Sequence, residues 1–231
     1  MERMEAKPGL SEAVILTSAE DIAAFLLLMR KAFRTSGQTE SEERLVLEEA
    51  ERDGVSFVEY PDPNEYFIGI KDGNQIVAGG ALQIITFRDG RKIARLSGHA
   101  VDPRYRGREL AQEVTDKSIT IAEEQNCERV EASVNANNPA ALITKFHNDF
   151  EAYDLSVATD PNDGFFQIRK YLRNSDHSTK DNAKEWKEVA FHNLPLIKQY
   201  LDNGWRGIDL KNTAKPTDND PEKWTLILGK Q

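Results

Sequence analysis

Apolar residues along this chain change their period several times, and each change marks an element. Glu12 to Thr17 is a short apolar run that predicts a strand, and Ser18 can cap a helix with Asp21 at its third position. Ile22, Phe25, Leu26, Met29 and Phe33 then recur at helical spacing, so this helix rests on a core. A charged second helix is expected over residues 39–53, with Leu45, Val46, Leu47 and Ala50 as its thin apolar side. From Glu65 the pattern turns to strands at 66–71, 75–87 and 91–101. Asp72-Gly73-Asn74 and Arg88-Asp89-Gly90 separate them, and Asp-Gly between apolar runs closes hairpins, so the three form an antiparallel meander.

Pro103 ends the third strand, and residues 109–125 return to helical spacing through Leu110, Val114 and Ile121. Val130, Ala132 and Val134 alternate with Glu131, Ser133 and Asn135, which marks a strand. Asn138 and Pro139 open a helix running to about His147, and short strands follow near 153–158 and 165–172. The polar stretch beginning at Asn174 reads as a linker, taken to span 174–185. Beyond it a strand near 187–191, a helix over 194–203, a strand over 206–211, a polar loop over 212–222 and a strand over 223–228 make a compact block. The fold class is α+β, a mixed sheet with helices. Its expected divisions are a flexible N-terminus at 1–11, a main domain at 12–173 and a small C-terminal α+β block at 186–231.

With 231 residues the chain can bury roughly 70% of its unfolded surface, enough for a packed core. Its net charge of −9 argues against a general nucleic-acid binder, which would spread Lys and Arg over a face. The longest uncharged apolar run, Ile22 to Met29, falls far short of the ~20 residues a membrane span needs. Residues 1–9 lack the apolar core of a signal peptide, so a cytoplasmic location is expected. Cys127 is the only cysteine, which excludes an intramolecular disulfide and a cysteine-rich zinc site and suits a small buried residue. No metal is expected.

One basic island breaks the acidic trend. Arg88, Arg91, Lys92, Arg95, Arg104, Arg106 and Arg108 stand against only Asp89 and Asp102. Such a run is either a solvated hairpin and loop or an anion site. Val101-Asp-Pro-Arg-Tyr-Arg-Gly-Arg-Glu-Leu-Ala111 favours the second, because it joins a strand to a helix. Gly107 allows a tight turn, and the helix start presents unpaired N–H groups and the positive end of its dipole, which hold phosphate oxygens. Arg106 and Arg108 add charge-assisted hydrogen bonds.

A strand, two helices, a three-strand meander, this Val-x-Pro-x-Tyr-Arg-Gly-Arg-x-x-Ala loop opening a helix, and a strand ending in Asn together resemble the GNAT (GCN5-related) N-acetyltransferase superfamily. The resemblance covers residues 12–172 and is strongest over 93–138. It makes 12–173 a GNAT-like acetyltransferase domain. Arg106 and Ala111 fit the ends of the family's pyrophosphate signature, with Gly107 after the Arg; Glu109 replaces the signature's middle glycine. An outward-pointing Glu109 in the first helical turn would be compatible with the anion, its charge outweighed by the arginines.

The resemblance implies acetyl-CoA as co-substrate, bound by Ala100, Val101, Arg106, Gly107, Arg108, Glu109, Leu110, Ala111 and Asn138, with the Val101 N–H facing the tetrahedral oxyanion. It implies direct attack by a primary amine, which must first lose a proton. The family's glutamate base falls on Arg95, which cannot act as one. Residues two apart on a strand share a face, so Arg95, Ser97, His99 and Val101 point together, and His99 is the candidate base. A histidine hydrogen-bonded inside the sheet remains the alternative. The family's tyrosine acid falls on Lys145, or on Thr144 if the frame moves by one, but Asn193, Leu196, Tyr200 and Gly204-Trp205 repeat that helix pattern. Either residues 139–182 are an insertion and the C-terminal block completes the acetyltransferase sheet, which makes Tyr200 a second candidate, or the block is a separate element. The implied partners are acetyl-CoA and an unidentified amine acceptor, of which the acidic charge of the chain mildly favours a cationic one, with a homodimer left open and neither nucleic acid nor membrane expected. A non-catalytic acyl-CoA-binding or protein-interaction module stands as the competing reading.

Overall fold

The computed structural model describes residues 9–32, 48–54, 56, 59, 62–157, 164–172, 179–212 and 221–231. The chain forms two compact units, Met1–Ile85 with Leu96–Ile121, and Thr86–Arg95 with Ala122–Gln231.

The first unit holds β1 (Val14–Ile15), β2 (Glu65–Asp72), β3 (Gln75–Thr86) and, from Leu96 onward, β4 (Lys92–Val101), hydrogen-bonded in that order. Gly73, at φ 58, turns β2 into the antiparallel β3. Ser18 caps α1 (Ala19–Ala32) as expected, its Oγ accepting from the Asp21 N–H at 3.1 Å. The buried face of α1, Ile22, Phe25 and Leu26, packs with Leu16, Phe67, Ile76, Ala81 and Ala100 in one core, and Met29 lies at its margin. Leu110, Val114 and Ile121 are the buried positions expected of α2 (Leu110–Glu124). Residues 48–54 are helical; the rest of the expected second helix, and Phe33, lie outside the described residues.

The second unit contains β5 (Arg129–Asn135), α3 (Pro139–His147), β6 (Glu151–Val157), β7 (Gly164–Tyr171), the short α4 (Thr179–Asn182), β8 (Glu185–Ala190), α5 (Leu194–Asp202), β9 (Arg206–Asn212) and β10 (Trp224–Lys230). Its strands run β5-β7-β6-β9-β10-β8 with antiparallel neighbours. Cys127 is fully buried, as expected of a packing residue.

A repeat runs through this unit. Asn138 and Asn193 are N-caps accepting from the N–H three residues on, at 3.1 and 3.2 Å. Asn148 and Asn203 are C-caps with nearly the same backbone angles, φ −91 ψ 19 and φ −91 ψ 18. A left-handed residue follows each, Asp149 and Gly204, then a buried aromatic, Phe150 and Trp205. The strand order reads outward from the β6–β9 pair as β6-β7-β5 on one side and β9-β10-β8 on the other.

The units therefore divide the chain differently from the boundary expected near residue 173. Residues 185–230 share one compact unit with β5, β6 and β7, and Ala152 of β6 pairs directly with Gly207 of β9. The expected linker also contains structure: α4 lies inside it with Thr179 buried, while residues 174–178 fall outside the described residues. Among the described residues no helix is long and apolar enough to cross a membrane.

Candidate functional site

The basic loop of the first unit is built around Tyr105. Pro103–Tyr105 forms a 3-10 turn capped by Asp102, whose Oδ1 accepts from the Arg104 N–H at 2.9 Å. The same carboxylate takes the Arg104 guanidinium at 3.1 and 2.9 Å, and this hydrogen bonding holds the Asp102 carboxyl below the usual range. The Asp102 N–H donates to Val77 O at 2.9 Å and ties the loop to β3. Tyr105 Oη donates to Asp72 Oδ2 at 2.6 Å, which pushes the phenol above its ordinary value. The guanidiniums of Arg108 and Arg104 lie over the Tyr105 ring at 5.0 and 5.8 Å. Arg104 is thus committed to a carboxylate, whereas Arg106 and Arg108 are exposed.

Two left-handed residues shape the rest of the loop, Gly107 at φ 74 and Glu109 at φ 60. Glu109 is not in the first helical turn as expected: it precedes α2, and its carbonyl accepts the first helical hydrogen bond from the Glu113 N–H at 3.1 Å. This left-handed conformation is one that glycine adopts without strain and glutamate does not. Left-handed turns beside a helix N-terminus gather N–H groups around a concavity suited to an anion. Apart from its two chain neighbours, no described residue has a heavy atom within 4 Å of a Cβ built on Gly107, so the turn is open there. An acyl-CoA pyrophosphate fits this donor set of backbone N–H groups, helix dipole and exposed arginines.

On β4, Ala100 is buried in the α1 core and Val101 is half-buried at the strand end. His99 is half-buried on the opposite face from Ala100. Its imidazole lies against β3, where a Cβ built on Gly80 would fall 2.5 Å from Cδ2 and 2.7 Å from Nε2. Val114 of α2 lines the same place, 3.1 Å from that built Cβ. Arg95 and Ser97 are exposed. Gly80 escaped the sequence reading; its signal was the adjacent pair Gly79-Gly80 inside an apolar strand, which marks a close approach.

The structure groups His99, Ala100, Val101 and residues 106–111 in the first unit, whereas Asn138 and Tyr200 belong to the second. The carbonyl oxygen of the Asn138 side chain is engaged as the N-cap of α3. Lys145, at the expected tyrosine position, is buried with its ammonium 5.7 Å from the Phe150 ring centroid. Tyr200 is half-buried against Trp205, centroids 5.7 Å apart, with Lys187 Nζ 5.5 Å from its ring. The basic island likewise divides, Arg88, Arg91, Lys92 and Arg95 in the second unit and the three loop arginines in the first. Among the described residues no group of His, Cys, Asp and Glu could hold a metal ion.

Residues 25–148 match the family model described as Acetyltransferase (GNAT) family. No curated protein matches the chain. Among solved structures it is similar to an acetyltransferase of the GNAT family from Streptococcus pneumoniae, with 18% identity, TM-score 0.53, and coverage of 70% of this chain and 99% of that one. A spermidine N-acetyltransferase chimera from Vibrio cholerae gives 13% identity, TM-score 0.53, and coverage of 70% and 96%. The NatC complex bound to Gag peptide and CoA gives 16% identity, TM-score 0.50, and coverage of 70% and 99%. These likenesses establish the fold, an α+β sheet with helices as expected.

Proposed function

The chain belongs to the GNAT family of acetyltransferases, and on that premise we propose that it is an N-acetyltransferase that moves the acyl group of acetyl-CoA onto a primary amine. The observation that carries this reading is the left-handed pair Gly107 and Glu109 directly ahead of α2. It gives the backbone an anion-binding shape with Arg106 and Arg108 exposed beside it. When bound, acetyl-CoA supplies a thioester carbonyl for the amine lone pair, yielding an amide and the free thiol.

The chain's own residues have separable tasks. Arg106, Gly107, Arg108, Glu109, Leu110 and Ala111 hold the pyrophosphate; Ala100 and Val101 offer backbone groups to the pantetheine and acyl end; Asn138 contributes from the start of α3. His99 accepts the amine proton, since imidazole titrates near neutrality and sits one residue from the acyl end. The negative balance of the chain favours a cationic acceptor such as a polyamine. Tyr200 is offered as the acid for the departing thiol on its helix position alone. Tyr200→Phe tests it by a selective loss of turnover, and full activity would mean that a thiol of pKa roughly 8.5 leaves unaided.

A non-catalytic acyl-CoA-binding module is the second reading, favoured by Arg95 at the glutamate position and Lys145 at the tyrosine position. His99→Gln separates the two. The variant should turn over about 10²–10⁴-fold more slowly while binding acetyl-CoA normally, and the wild-type rate should fall at acid pH through a histidine titration. A variant with unchanged rate and pH profile would return His99 to a structural role.

A further inference from the structure

Two adjacent glycines sit in the middle of β3, and each leaves room on one face for a ring. A Cβ on Gly79 would lie 2.6 Å from Phe25 Cδ2 and 2.7 Å from the Ile68 carbonyl, so that face belongs to the α1 core. A Cβ on Gly80 would meet the His99 imidazole at 2.5 and 2.7 Å. Neither glycine has a positive φ, so the backbone conformation itself does not require glycine at either position. Glycine inside a strand costs conformational entropy and contributes no packing, which makes close approach its reason for being there. For Gly80 the approaching groups are the imidazole and Val114.

We propose that Gly80 is a positioning residue for acyl transfer: the missing side chain forms the slot against β3 that the Cδ2–Nε2 edge of the His99 imidazole occupies. The proposal rests on the reading of His99 as proton acceptor. Nε2 of His99 is buried in this slot, which makes Nδ1 the ring nitrogen assigned to the amine proton. An alanine at position 80 would require the ring to swing away, because carbon atoms do not approach within the distances the built Cβ would have. Misplacing a reacting group by about 1 Å can cost on the order of 10²-fold in rate.

The test compares Gly80→Ala with Gly79→Ala, which crowds Phe25 on the other face and serves as a stability control. Each is measured for kcat, acetyl-CoA affinity and the imidazole NMR titration of His99, assigned by subtracting the His99→Gln spectrum. Gly80→Ala should shift the His99 resonances and titration and lower kcat about 10–100-fold, with acetyl-CoA affinity within roughly threefold of wild type. Gly79→Ala should leave the His99 titration in place. Unmoved His99 resonances with unchanged kcat in Gly80→Ala would overturn the proposal, as would equal kcat losses in both variants with no change in the His99 titration.

If Gly80→Ala does not fold, the double variant Gly80→Ala/His99→Ala decides, because removing the ring removes the clash. A folded double variant supports the slot; an unfolded one overturns it. A His99→Gln variant with wild-type rate and pH profile would refute the role of His99. A slow His99→Gln beside a fully active Gly80→Ala would refute this inference alone.

Discussion

Ala152 of β6 pairs with Gly207 of β9, and the two hold the same place in two copies of one β-α-β-β pattern, each two residues past the aromatic that follows the helix. Antiparallel pairing of equivalent residues creates a local two-fold relation. The helices respect it, since α5 packs on β6 and α3 packs on β9. Such reciprocal contact is the pattern of an isologous interface, here made within one chain.

The crossing point needs small residues. A Cβ on Gly207 would lie 3.0 Å from Ala152 Cβ and 3.3 Å from a Leu226 methyl. Gly207→Val should therefore destabilise the second unit by about 1–3 kcal/mol, read by chemical denaturation. A variant as stable as wild type would mean that β6 and β9 do not meet here.

The three loop arginines should behave differently. Arg106→Ala and Arg108→Ala should each weaken acetyl-CoA binding roughly ten- to hundredfold, the effect of losing a hydrogen bond to a charged group. Arg104→Ala, which removes a mostly exposed side chain paired with Asp102 at 2.9 Å, should weaken binding less than either. Calorimetry of the three variants checks the order, and a dominant Arg104 would reverse the assignment of the anion-binding side chains.

Glu109→Gly relieves a left-handed glutamate at φ 60. It should raise stability by about 1 kcal/mol and bind acetyl-CoA as well or better, since a like charge leaves the anion site. Thermal melts and calorimetry read the two effects. Weaker binding in the glycine variant would give the Glu109 carboxylate a positive role.

Tyr105 carries a pH signature. Its hydroxyl donates to Asp72, so the phenol pKa lies above its ordinary value of 10.0. The folded protein thus holds this proton more tightly than the unfolded chain. The contribution is complete below the ordinary phenol value and is lost as pH rises through the raised one. Asp72→Asn should lower the phenolate titration seen in ultraviolet absorbance, and an unchanged titration would remove the hydrogen bond from the account of the loop.

Most element positions were legible because they depend on local patterns. Ser18, Asn138, Pro139 and the hairpin glycines fix helix starts and turns within a few residues. The basic loop was legible for the same reason, its Pro, Gly and Arg lying in one short stretch. The order β5-β7-β6-β9-β10-β8 was not, because pairing β6 with β9 joins residues far apart in sequence and no turn dictates it. Residues 186–231 accordingly read either as a separate block or as the part that completes the sheet. Glu109 was misjudged because glutamate disfavours the left-handed region, so nothing local announced it. Gly80 announced a close approach without saying what approaches.

The most direct measurement is mass spectrometry of amines incubated with the full chain and acetyl-CoA, with free thiol followed in the same samples. The panel should include a polyamine, an amino sugar, an aminoglycoside and peptides with free N-termini. The account predicts an acetylated amine formed in step with free thiol, favouring the cationic acceptors, and lost in the Arg106→Ala/Arg108→Ala variant. Thiol release at the background rate, with no acetylated amine from any class, would contradict it.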